Sequence, residues 1–159
     1  MPAANTTPSS TPSLTPELTP ELTPELIAAY AATHFWVDAS PRVCIKVGEQ
    51  SAALLALLLR FDVGSGFFIT AHNPYSALTI DADNTAANKA LQQQLSAFNI
   101  PALAANGKAS VGEWPAEPGF FVCGLSQAQA LALGQQFRQY AIVWCSLEKA
   151  PELLFPNRD

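Results

Sequence analysis

Two similar strand–loop–helix units constrain the fold of this chain more than any other feature of its sequence. The apolar runs GFFIT, at 66–70, and GFFVC, at 119–123, each precede a polar or glycine-containing loop and then a helix-forming stretch. An unbroken apolar run of this length is typical of a strand that is covered on both faces. Strands that alternate with helices favour a layered architecture in which helices pack on a sheet.

The remaining segments add further elements to this frame. A hairpin is predicted where HFWVDA and RVCIKVG flank Ser40 and Pro41, and it would make the sheet mixed. Helices are predicted in ELIAAYAAT, SAALLALLLRF, DADNTAANKALQQQLSAF (capped by Asp81 or Asp83) and SQAQALALGQQFRQY (with a capping box of Ser126 and Gln129). AIVWCSL is a closing strand, 100–114 is loop that includes at most a short strand, and APELLF is a short helix or arm. We therefore predict an α/β fold, with α+β as the alternative: a layered sandwich with a mixed sheet of about five to six strands.

The N-terminal segment repeats the unit Leu-Thr-Pro-Glu with a period of four residues. Proline at every fourth position deletes helix hydrogen bonds, so the repeats predict a disordered or extended tail over 1–23. Thr23 suits an N-cap and Pro24 the first helical position, so a single globular domain is expected over 24–159. The tail is interpreted either as a partner-binding segment or as an expanded repeat without a role.

Composition excludes several classes of function. The chain is 49% hydrophobic and 13% charged, with a net charge of −5, so it can build a core but has no basic patch. Binding to a nucleic-acid polymer is therefore not expected. No membrane contact is expected either, because the most apolar run, SAALLALLLRF, is too short to span a bilayer and no secretory signal precedes it. A cytoplasmic protein is predicted.

Cysteine and histidine usage argues against a metal site. Cys44, Cys123 and Cys145 lie in separate strand-like apolar runs without C-x-x-C spacing, and the two histidines are His34 and His72. We interpret the cysteines as buried small hydrophobic residues in a reducing compartment. Neither a metal nor a cofactor is predicted.

The segment FFITAHNPYS, at 67–76, leads from a buried strand into a polar loop. Pro74 cannot donate to a sheet ladder and keeps Asn73 extended, so the strand should end near Asn73. His72 and Asn73 would then lie at the carboxyl end of a strand, the edge at which α/β sheets tend to bind ligands.

Two asparagines in the next helix point to the same place. Asn84 and Asn88 share a stripe with Leu91, Leu95 and Phe98, which indicates that both amides face the core. Buried amides need hydrogen-bond partners, because each unsatisfied group costs about 1–3 kcal/mol. Two interpretations stay open: the amides bond the backbone of the preceding loop and hold it, or Asn73, Ser76, Asn84 and Asn88 present polar groups to a ligand.

A second polar patch, EWPAEP at 113–118, precedes the second Phe-Phe strand. Glu117 joins Asn73 on one rim if the two Phe-Phe strands are antiparallel, and lies at the opposite end of the sheet if they are parallel. Trp114 is interpreted as a platform for a ligand ring or as a lid on the core. Gln139 precedes the closing strand and either faces the core edge or is solvated.

The sequence carries no G-x-S-x-G elbow, no Walker loop and no G-x-G-x-x-G fingerprint, so no catalytic residue is assigned and enzymatic activity stays open. The leading hypothesis is a small binding or regulatory domain with a polar rim site at the Asn-Pro loop, which takes an unknown small ligand or protein partner. One alternative is an enzyme acting on a small polar or nucleotide-like substrate, with His72 or Glu117 as acid–base. The other alternative is a protein-interaction module.

Five segments, in order, resemble the uncharacterised bacterial family known as domain of unknown function 3293. They are LIAAYAATHFWV, FFITAHNPYS, the asparagines of NTAANKALQQQL, EPGFFVCGLS and FRQYAIVWC. The family's Thr-Ala-x-Asn-Pro pattern is matched from Thr70 to Pro74, except that His72 stands where the family usually has tryptophan. The family's Glu-Pro before a strand is matched at Glu117, and its glutamine before the closing strand at Gln139. The resemblance implies no known activity, substrate or cofactor.

Overall fold

The computed structural model describes residues 21–112 and 114–157, so nearly all of the predicted tail lies outside the described residues. The described chain forms four α-helices and seven strands. The helices are α1 (Pro24–Ala31), α2 (Ala52–Arg60), α3 (Asp81–Ser96) and α4 (Gln127–Gln136). The strands are β1 (Thr33–Val37), β2 (Val43–Lys46), β3 (Ser65–Ile69), β4 (Ala102–Ala109), β5 (Glu117–Cys123), β6 (Ile142–Ser146) and β7 (Glu152–Leu154).

All seven strands join one curled sheet that resembles half of a barrel, in the order β2-β1-β4-β5-β3-β6-β7. Every neighbouring pair is antiparallel, including the predicted hairpin of β1 and β2. Four helices and one sheet make up the described chain, so the α/β character is confirmed. The expected layered sandwich with a mixed sheet of about five to six strands is wrong, because the sheet is curled, antiparallel throughout and has seven strands.

Two segments account for the extra strands. β4 reads ALAANGKA, and alanine, asparagine, glycine and lysine are depleted in strands, which is why the sequence predicts loop there. Its backbone nevertheless pairs with β1 on one side and β5 on the other, so tertiary pairing overrides local preference. β7 pairs with β6, although a short helix or arm is expected from the sequence.

Each face of the sheet carries its own core. On one face, Phe68 of β3 packs among residues of β1, β6 and the leucines of α2. On the other face, Phe67 and Ile69 pack with the buried leucines of α3 and α4. Successive side chains of a strand point to opposite faces, so β3 is buried on both, as its unbroken apolar run predicts.

The helix starts follow local capping chemistry, with one exception. The Thr23 hydroxyl accepts the backbone N–H of Leu26 at 3.2 Å, and the predicted capping box of Ser126 and Gln129 is present. The predicted aspartate cap of α3 is wrong: the cap position is Ile80, and Asp81 and Asp83 lie in the first turn, where their charges still favour the helix dipole. No helix in the described part of the chain is long and apolar enough to cross a membrane.

Candidate functional site

The loop after β3 has an uncommon backbone conformation. Asn73, Tyr75 and Ser76 have φ values of 43°, 53° and 60°, in the left-handed region that non-glycine residues rarely adopt. The prediction that Asn73 is extended is therefore wrong. Pro74–Ser76 form a single turn of 3₁₀ helix. Such a backbone costs free energy and persists only where neighbouring groups determine it. The neighbouring groups therefore decide the shape of this loop.

Two asparagines of α3 hold the loop from behind. Asn84 Oδ1 accepts the backbone N–H of Asn73 at 2.8 Å, and Asn88 Oδ1 accepts that of Ala71 at 2.8 Å. Asn84 Nδ2 donates to Asn73 Oδ1 at 2.9 Å and to the Thr79 carbonyl at 3.2 Å. Asn84 is 3% exposed, so these bonds satisfy an amide that water does not reach.

Other contacts fix the loop from the sheet and from the end of α4. Gln139 is buried, and its Nε2 donates to the His72 carbonyl at 3.2 Å. The backbone N–H of Tyr75 donates to the Arg138 carbonyl at 2.8 Å. The hydroxyl of Thr70 accepts the backbone N–H of His72 at 3.0 Å. The chain from Thr70 to Ser76 is thus held on several sides.

The antiparallel pairing of β3 and β5 brings Glu117 to the same rim as Asn73. Asn73 Nδ2 donates to Glu117 Oε2 at 2.8 Å, and Trp114 Nε1 donates to the same oxygen at 3.2 Å. Glu117 is half-buried. Glu117 forms no ion pair with a described residue, because the one ion pair among those residues joins Arg42 and Asp38. The partners of its carboxylate are therefore neutral N–H groups.

A pocket of about 360 Å³ opens between α1 and the sheet, in front of this rim. Most of its wall is apolar and belongs to the face of the sheet on which α2 packs. Its apolar lining includes Leu26, Phe35, Phe68, Val143 and Leu153. Its polar lining includes Thr70, Asn73, Ser76, Glu117 and Gln139. The rim residues thus form the polar part of a mainly apolar cavity.

Helix α1 covers the pocket with Leu26 and Tyr30. The Tyr30 hydroxyl is hydrogen-bonded to the Ser76 hydroxyl. Burial raises the pKa of Tyr30, the Ser76 hydrogen bond offsets part of that rise, and the charge of Glu117 adds a smaller rise, so the phenol stays neutral. The sequence interpretation missed Tyr30. The available signal was its i,i+4 spacing from Leu26, which places both on one face of the helix.

The predicted site residues separate into two groups. Asn73, Ser76, Trp114, Glu117 and Gln139 line the pocket. His72, Asn84 and Asn88 lie behind the loop and are not among the lining residues. His72 Nδ1 is 3.2 Å from Asn88 Nδ2, and no hydrogen bond or ion pair between His72 and Glu117 is present among the described residues.

Fold and site together define a class: a small domain whose curled antiparallel sheet carries helices on both faces and a pocket under its first helix. A family model described as "Protein of unknown function (DUF3293)" matches residues 69–142, so the resemblance to that family is confirmed. The matched segment runs from the end of β3 into β6 and contains every predicted site residue from His72 to Gln139. No curated protein and no solved structure matches the chain.

Proposed function

We propose that this domain binds a small molecule in the pocket between α1 and the sheet. The apolar part of the ligand lies against Phe35 and Phe68, and its polar group meets Glu117. One observation carries the proposal: a half-buried carboxylate with neutral partners stands in a mainly apolar cavity. The cavity volume falls within the roughly 300–1,000 Å³ of small-molecule sites, which combine apolar walls with a few placed polar groups.

The hydrogen bonds behind the loop support this function. The Asn84 amide fixes both the backbone and the side-chain oxygen of Asn73, and Asn73 in turn fixes Glu117. A site whose polar groups are already held loses less entropy when a ligand binds. The strained loop and the pocket are therefore parts of one preorganised arrangement.

Binding is favoured over acid–base catalysis by the position of His72. His72 does not line the pocket, and its Nδ1 is 3.2 Å from Asn88 Nδ2 behind the loop. We also place the protein in the cytoplasm of a bacterial cell. The three free cysteines, two of them buried, fit that reducing compartment, and the family resemblance implies the bacterial source.

A thermal-shift screen of small molecules with one polar group tests the proposal. A ligand at about one hundred times its dissociation constant adds roughly 2.7 kcal/mol of stability, which raises the midpoint by several degrees. Ala109 lines the pocket at the end of β4, and Ala109→Phe fills part of the cavity. Ala102 is exposed on the same strand outside the pocket, so Ala102→Phe is the matched control.

We expect hits to stabilise the wild type and Ala102→Phe but not Ala109→Phe. A hit that stabilises both variants equally binds elsewhere and counts against the pocket. A screen without hits, on a chemically broad library, contradicts small-molecule binding.

A further inference from the structure

We infer that the ligand of this pocket is an amine whose ammonium group pairs with Glu117. The inference deepens the proposed function and rests on it, because it concerns the same cavity. It names the charge and hydrogen-bonding character of the ligand, which volume and lining alone leave open. Three observations support the inference: the charge around the pocket, the unused hydrogen-bonding capacity of the Glu117 carboxylate, and the aromatic surface beside that carboxylate.

Charge is the first argument. Among the described residues that line the pocket, Glu117 is the one charged side chain, and none of them is Lys, Arg or His. Lys108 is near in sequence, but Gly107 faces the pocket, so Lys108 points to the opposite face of β4. A carboxylate in a partly apolar cavity attracts cations and repels carboxylates and phosphates. The field of the cavity therefore selects a cation.

Hydrogen-bonding capacity is the second argument. Asn73 and Trp114 both donate to Oε2 of Glu117, and Oε1 takes no hydrogen bond from the described residues. An ammonium group has three donors and no acceptor, so it suits an open carboxylate oxygen beside hydroxyl groups. Ser76 and Tyr30 supply such hydroxyls in the lining. Trp114, 45% exposed, adds an aromatic ring that attracts a cation.

The aromatic surface beside the carboxylate is the third argument. In the sheet register Phe35 pairs with Gly107, and Gly107 pairs with Glu117, so the three form a row across β1, β4 and β5. A Cβ at Gly107 would lie 3.2 Å from the ring of Phe35. The Phe35 ring therefore covers the backbone of Gly107, and the row presents an aromatic surface on the same face of the sheet as the Glu117 side chain. An amine on an aromatic or branched aliphatic body fits this row.

A bare metal ion fits less well. The described residues contain no group of three His, Cys, Asp or Glu side chains that could hold one. Calcium and magnesium prefer several oxygen ligands, with carboxylates prominent among them, and the described residues of the lining supply a single carboxylate. An organic cation brings its own apolar body, which the rest of the cavity accommodates.

Matched sets of small molecules test the inference on the full chain. Each set keeps one skeleton and changes only the polar group: 2-phenylethylamine, 2-phenylethanol and phenylacetate, with the corresponding indole and isobutyl sets. Affinities are measured by NMR titration at neutral pH. We expect the amine to bind about tenfold or more tightly than the alcohol, since hydrogen bonds to charged groups are the stronger kind, and the carboxylate to bind most weakly.

Two variants localise the effect. Glu117→Gln keeps an oxygen for Asn73 and Trp114 but removes the charge, and it should abolish the preference for the amine over the alcohol. Glu49→Gln removes an equal charge from an exposed position outside the pocket and should leave the preference unchanged. Circular dichroism checks that both variants are folded, and the wild-type ranking stands as a test without them.

The outcomes separate this inference from the proposed function. Alcohols or carboxylates that bind the wild type as tightly as the amines, with Ala109→Phe blocking them, overturn the amine and leave the binding pocket standing. An amine preference that survives Glu117→Gln in a folded variant also overturns the assignment to Glu117. No binding by any member of any set contradicts both.

Discussion

The side-chain amide of Asn73 donates a hydrogen bond of 2.8 Å to the carboxylate of Glu117, 44 residues further along the chain. The bond joins the loop after β3 to the first residue of β5. Asn84 holds Asn73 from the other side, so the buried face of α3 is connected to the pocket through one amide. A substitution at Asn73, Asn84 or Glu117 should therefore disturb the same chain of hydrogen bonds.

Asn84→Ala should destabilise the domain by about 2–4 kcal/mol. The change removes the partner of the Asn73 backbone N–H and leaves the Asn73 side-chain oxygen with fewer donors, in a place that water does not reach. Urea denaturation followed by circular dichroism measures the free energy of unfolding. Gln93→Ala, exposed on the same helix, is the control and should change it by less than about 0.5 kcal/mol. Similar values for the two variants would contradict the role of Asn84.

Asn73→Gly should be about 1 kcal/mol more stable than Asn73→Ala. Both variants lose the same side-chain hydrogen bonds, but the backbone at this position has φ of 43°, which glycine adopts without the steric cost that alanine meets. Thermal and urea unfolding of the pair isolate the backbone contribution. Equal stabilities would mean that the loop relaxes out of the left-handed region once the side chain is lost.

Gly119→Ala should destabilise the domain by about 3 kcal/mol or more. A Cβ there would lie 2.5 Å from the carbonyl oxygen of Ile69 and 3.0 Å from Thr70 Cβ, so β3 and β5 would have to move apart beside the loop. Gly64→Ala meets nothing within 4 Å and should be neutral or slightly stabilising. The two midpoints of unfolding decide the matter, and a tolerated Gly119→Ala would refute the close approach.

Stability should fall as pH rises above about 9. Burial raises the pKa of the Cys123 thiol from 9.0 to about 11, and it raises that of Cys145 as well. The unfolded chain releases these thiol protons at a lower pH than the folded chain does. The free energy of unfolding is therefore unaffected by them below about pH 9 and falls as the pH rises towards 11. Free energies of unfolding at pH 7, 9 and 10.5 measure the slope. Cys123→Ala should flatten it more than Cys44→Ala, since Cys44 is only partly buried; equal slopes would count against the burial effect.

The sequence indicates this site in part. The stripe shared by Asn84, Asn88 and the leucines of α3 places both amides towards the core, and the loop after β3 supplies their partners. The direction of β5 relative to β3 depends on pairing between segments about fifty residues apart, and local patterns carry no record of it. The hydrogen bond between Tyr30 and Ser76 joins residues 46 positions apart, so local sequence patterns do not predict it either.

Secondary structure was predictable where a segment's own side chains determine it. It was not predictable where pairing with other strands determines it. The Phe-Phe strands and the capping box at Ser126 follow from local chemistry. β4 has no such signal, because its ALAANGKA sequence becomes a strand only when β1 and β5 supply hydrogen bonds on both sides. The curl of the sheet likewise depends on the whole set of strands.

The row of Phe35, Gly107 and Glu117 makes pocket size and pocket charge separately adjustable. A side chain introduced at position 107 would meet the Phe35 ring, 3.2 Å from the added Cβ, and would change the size of the cavity without altering its charge. A change at position 117 would alter the charge without changing the floor between β1 and β4. Relatives that keep the Asn73 network could therefore diverge in the size of their ligand independently of its polarity, by single substitutions on different strands.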